Sequence, residues 1–121
     1  MNPSLQQLLA EVTADQTAAA VAAGAKADAA SALETAEINY NTALAAFTAA
    51  ENGGTQAQIA ATAAALGTAS GALSAAETAY NTASETFDLA NQQWMTDLTA
   101  LGQAIAALLP VQPPGPQRRT V

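Results

Sequence analysis

Large apolar residues recur at every seventh position along two stretches of this chain, with small and polar residues between them. In the first stretch they are Leu33, Tyr40 and Phe47; in the second, Ile59, Leu66, Leu73, Tyr80, Phe87, Trp94, Leu101 and Leu108. Alanine stands three residues after most of them, as Ala36, Ala43 and Ala50 and as Ala69, Ala76, Ala83, Ala90 and Ala104. That spacing draws one stripe of large and small residues down the side of an α-helix. The stripes are related: Tyr40-Asn41-Thr42-Ala43 reappears as Tyr80-Asn81-Thr82-Ala83 within a longer repeat. The pattern predicts two packed helices of similar design, and it names no reaction.

Punctuation sets their limits. Asn52-Gly53-Gly54 is the clearest stop, because glycine readily takes the left-handed conformation that ends a helix. Thr55 with Gln58 reads as the capping box that opens the next helix. At the start, Asn2-Pro3 reads as an N-cap with proline in the first turn, and Ser4 with Gln7 offers an alternative box. Gly24 lies in an alanine-rich stretch and threatens a bend or break, with Ser31 and Glu34 as a possible restart. Pro110 ends the second helix.

The predicted architecture is therefore all-α: a long antiparallel helical hairpin, an alanine-rich coiled coil, over residues 1–109. Its helices span about 3–51 and about 55–109 around a turn at 52–54, and residues 110–121 form an extended proline-rich tail. Folding the chain back at the glycines sets Tyr40 opposite Gly67, Phe47 opposite Ala60, Tyr80 opposite Ala27 and Phe87 opposite Ala20. Large then meets small at each aromatic layer, and Leu5, Leu8 and Leu9 meet Leu98, Leu101 and Gly102.

Composition shows what such a hairpin lacks. Alanine makes up 35 of the 121 residues, and each buries only a methyl group, about 0.8 kcal/mol per buried carbon. Alanine favours helix and close backbone approach over a thick core. A two-helix hairpin also leaves much of each helix uncovered, and Gly67 with Gly71 offers a small-residue patch. Self-association into a dimer or trimer, a four- or six-helix bundle, is the expected remedy.

Charge narrows the partners. The net charge is −7, and both arginines, Arg118 and Arg119, lie in the tail, leaving Lys26 as the body's only cation against ten carboxylates. Such a body repels nucleic acid and anionic lipid. The first twenty residues lack the basic start and continuous apolar run of a signal peptide. Leu98 to Val111 is too short to span a bilayer, so no membrane insertion is expected. Localisation stays open.

Candidate chemistry is sparse. The chain has no cysteine and no histidine, which excludes disulfides, thiolate metal sites and imidazole catalysis. Glu34 with Glu37, and Glu77 at the matching place in the second repeat, could be imagined as general acids or cation ligands. Nothing in the sequence supplies a pocket to separate their pKa values or further oxygen ligands to complete a site. They read as solvated carboxylates. Tyr40, Phe47, Tyr80 and Phe87 read as seam residues rather than stacking platforms. Trp94 is the exception on its stripe, since Asp97 replaces the alanine three residues on. No catalytic residue, cofactor or metal is expected.

In the tail, Pro110, Pro113, Pro114 and Pro116 with Arg118 and Arg119 suggest a docking arm whose cations could anchor it on an acidic surface. The threonines sustain no eleven-residue array of the ice-binding kind. The overall style (short, rich in alanine, threonine and glutamine, almost without lysine) is similar to that of minor virion proteins of tailed bacteriophages, such as head fibres, decoration proteins and tail appendages. The resulting expectation is a non-enzymatic structural subunit of a larger assembly, attached through its termini. The alternative is a soluble adaptor or assembly chaperone that binds a partner helix.

Overall fold

A computed structural model describes residues 4–109. They form two long helices packed against each other, α1 (Leu5–Glu51) and α2 (Gln56–Leu108), with no strand among the described residues. Both starts use the capping box read from sequence. The Ser4 amide donates to Gln7 Oε1 (2.9 Å) while the Gln7 amide donates to Ser4 Oγ (3.1 Å). Thr55 and Gln58 repeat the exchange at 2.8 and 3.1 Å. Each box satisfies amides that have no partner within the helix. Since α1 begins at Leu5, the Ser4 alternative holds over the Asn2-Pro3 start, whose residues lie outside those described.

The helix continues through Gly24 and Ser31 without a break. One glycine among forty-seven residues costs about 1 kcal/mol against alanine, and the helix absorbs it. Threonines fit in the helices through their hydroxyls: Thr13, Thr17, Thr78, Thr86 and Thr99 each donate to the carbonyl four residues earlier. Sharing a carbonyl in this way satisfies the hydroxyl inside the helix, at a slight cost to helix stability.

The turn closes differently from the expectation. Among the described residues no glycine has a positive φ, so Gly53 and Gly54 are not there for left-handed backbone. Asn52 N–H donates to Thr48 O (3.1 Å), and Gly54 N–H donates to Ala50 O (2.7 Å). Gly54 is required for space: a Cβ there would lie 2.7 Å from the Ala50 carbonyl oxygen and 2.9 Å from Gln58 Oε1.

The described chain comprises two compact units, residues 20–89 and the pairing of 4–19 with 90–109. Within residues 20–89, Lys26 Nζ sits 5.2 Å from the centre of the Phe87 ring, and Tyr40 lines the same open groove as Leu73. These pairs replace the expected matches of Phe87 with Ala20 and Tyr40 with Gly67. The helices are displaced by about one and a half turns from the sequence-based register. The reason is geometric. Gly67 is exposed, and a Cβ there would meet nothing within 4 Å, so it cannot be the residue facing Tyr40. The observed register brings stripe to stripe, setting Leu33 level with Tyr80 and Ala36 level with Ala76. Large layers alternate with alanine layers, in place of large against small.

The buried seam residues all lie on α1: Ala22 is 5% exposed, with Ala19, Ala36 and Ala50 close behind and Leu8 and Val12 near the helix start, while every aromatic residue of the seam is only partly buried. Two helices alone can enclose a methyl group between them but cannot wrap a ring.

Candidate functional site

The covered stripes are longer than the sequence pattern suggested. On α1 the buried or partly buried positions are Leu8, Val12, Asp15, Ala19, Ala22, Lys26, Ala29, Leu33, Ala36, Tyr40, Ala43, Phe47 and Ala50. The steps alternate four and three without exception, the spacing of a coiled-coil seam. On α2 the same alternation runs from Ile59 through Leu66, Leu73, Tyr80, Phe87 and Trp94 to Leu101 and Ala104. Leu108, assigned to the seam from its spacing, is instead 68% exposed. In the observed register its level falls on Leu5, the first residue of α1 and itself exposed, so the seam ends there. Leu9 and Leu98 are also exposed: each sits one position past a covered residue, which turns it about 100° away.

Two acids stand in this seam where alanines stand elsewhere. In the unit formed by residues 4–19 and 90–109, Asp15 of α1 and Asp97 of α2 are both partly buried. They face each other closely enough for one carboxyl to hydrogen-bond the other. That hydrogen bond pushes Asp15 up to about 6, helped by desolvation and by the negative charges of Asp97 and Glu11. Asp97 moves down, because the Asp15 carboxyl donates to it and the Gln93 side-chain amide donates to both its oxygens (3.1 and 3.2 Å). A single proton shared by two close carboxyl groups explains the opposite directions. Asp15 Oδ2 and Trp94 Nε1 are both buried without a hydrogen-bond partner, which makes this the most polar and least satisfied stretch of the seam.

The chain matches no family model, no curated protein and no solved structure.

The acids singled out from sequence lie elsewhere. Glu34 and Glu37 line an open groove beside Ile38, Tyr40, Asn41 and Leu73, while Glu77 is exposed. No group of three metal-ligating side chains forms among the described residues. The docking-arm residues Pro110, Pro113, Pro114, Pro116, Arg118 and Arg119 lie outside those described.

Sequence reasoning noticed Asp97 but missed its partner. Continuing the four-three alternation backward from Leu33 lands on Lys26, then Asp15, and would have found both. It also placed the most apolar stretch at Leu98 to Val111, whereas α2 is by length and composition apolar enough to cross a membrane. Its apolarity is mainly alanine. Glu34 and Glu37 of α1 lie beside α2 in the groove they share with Leu73, and carboxylates are costly at membrane depth.

Proposed function

We propose that this protein is a non-enzymatic structural subunit, a helical hairpin that associates with itself and is held in a larger assembly by a terminal segment. The carrying observation is the seam: one unbroken four-three alternation occupies a single stripe of each helix and leaves the other faces uncovered. A stripe of that kind makes a scaffold. The grooves along its surface are open and lined by scattered side chains, where a catalytic site calls for convergent polar groups in a concave pocket.

Compositional likeness favours a virion of the tailed-bacteriophage kind, with a head fibre, decoration protein or tail appendage as its role. The proline-rich segment with Arg118 and Arg119 would be the attachment arm, its cations meeting acidic surface. Particles carrying the full chain should be compared with particles carrying residues 1–109, by sedimentation followed by detection of the protein in the particle fraction. Loss of the shortened chain from the particles, with its helical circular-dichroism spectrum intact, supports the proposal. Retention overturns attachment through the arm. A full chain that is a helical monomer alone and gains helix–helix contacts only with a foreign helix would favour the adaptor reading.

A further inference from the structure

The exposed large apolar residues are unevenly distributed. Seven of the eleven, including Leu9, Met95, Leu98 and Ile105, belong to the unit built from the two ends of the hairpin. On α2 a second stripe runs beside the seam: Met95 (57% exposed), Leu98 (43%), Gly102 and Ile105 (46%), with Leu109 just past the helix end. Its steps are three, four, three and four, the spacing of another coiled-coil seam. The rotation from seam to stripe has the same sense for Leu9 on α1, and in an antiparallel pair that brings it to the same side. Upstream the stripe turns polar, through Asn91, Asp88 and Ser84.

Gly102 at its centre has no role inside the hairpin. A Cβ added there would meet nothing within 4 Å, yet glycine costs about 1 kcal/mol against alanine in a helix. Close approach of another helix would explain it. We infer that this stripe is a self-docking face, on which a second copy of the chain packs antiparallel about Gly102.

The pattern is self-complementary. Large residues flank Gly102 on both sides at nearly matching steps, so a two-fold axis through it pairs Leu98 with Ile105 and Met95 with Leu109 of the second copy. Charge favours the same occupant. Residues 4–10 and 98–109 carry no charge, so two strongly acidic bodies can overlap there without facing carboxylates. A basic partner would be drawn to the acidic stretches instead. The paired stretch of about 21 Å is four turns, short enough that the face is smaller than a standard interface of about 1,600 Å². The inference deepens the self-association in the proposed function and does not depend on attachment to a particle.

The test uses the full chain, in sedimentation equilibrium from about 5 to 500 μM. Expected is a monomer–dimer equilibrium that Ile105→Glu weakens at least tenfold while the helical spectrum is unchanged. Gly102→Gln should raise the melting temperature of the monomer and weaken the dimer, opposite effects that a purely structural glycine would not produce. The chain has no cysteine, so Gly102→Cys should cross-link copy to copy under mild oxidation and Ser70→Cys should not. A monomer throughout the range overturns the inference, as does a dimer indifferent to Ile105→Glu and Gly102→Gln. Dimerisation only after removal of residues 110–121 also overturns it, and would assign the face to the chain's own tail.

Discussion

Asp15 and Asp97 face each other across the seam, between Val12 and Ala19 on α1 and between Trp94 and Leu101 on α2. Two carboxylates side by side repel, and a proton between them converts the repulsion into a hydrogen bond. Asp15 is held up at about 6, above the usual 3.8, so the folded chain binds more protons than the unfolded chain between those values. Stability from this group is therefore present below about 4 and is lost as pH rises through about 6. Asp97 moves the other way, and its contribution is lost as pH falls below the ordinary carboxylate range. Thermal unfolding followed by circular dichroism should show a higher melting temperature at pH 4.5 than at pH 7.5.

Asp15→Asn separates this pair from the general effect of net charge. The amide can still donate to Asp97 but does not titrate. The variant should melt higher than the parent at pH 7.5 and show a flatter dependence between pH 4 and 7. An unchanged slope would mean that the other carboxylates set it.

Gly24 and Gly54 should respond oppositely to alanine. A Cβ at Gly24 meets nothing within 4 Å inside a continuous helix, so Gly24→Ala should stabilise by about 0.5–1 kcal/mol. At Gly54 the Cβ would press on the Ala50 carbonyl, and Gly54→Ala should destabilise by about 1–3 kcal/mol. Denaturant unfolding of the two variants decides both signs.

Thr55→Ala removes the hydroxyl that receives the Gln58 amide. It should cost about 1 kcal/mol, and hydrogen exchange should show the loss first in the opening turn of α2. Uniform loss along both helices would mean that the cap and the seam unfold as one unit.

Trp94 carries a buried indole N–H without a partner. Trp94→Phe removes that unsatisfied donor along with part of the ring, and the two effects oppose each other. Its net cost should stay within about 1 kcal/mol by denaturant unfolding, well below the usual penalty of about 3–5 kcal/mol for truncating a buried tryptophan to alanine.

Much of the architecture was legible because it is local. Capping boxes at Ser4–Gln7 and Thr55–Gln58 need only residues three apart, and the heptads of Leu33 and Ile59 need only helical periodicity. Register was not legible. It depends on which residues of two distant stripes share a level, and counting back from the turn set Tyr40 against Gly67, which is not on the stripe at all. The dyad was half legible: Asp97 broke a visible pattern, while Asp15 was hidden in a stretch too poor in large residues to show its phase.

The sequence by itself determined that the chain is two helices, where the second begins, and which side of it carries the heptad, because propensity, capping and periodicity act within a few residues along the chain. Only the tertiary structure decided that Leu33 lies level with Tyr80, that Gly54 is needed for space rather than for its backbone freedom, and that Asp15 and Asp97 come close enough to shift each other's titration. Those outcomes depend on distances between residues far apart in the chain, which packing sets.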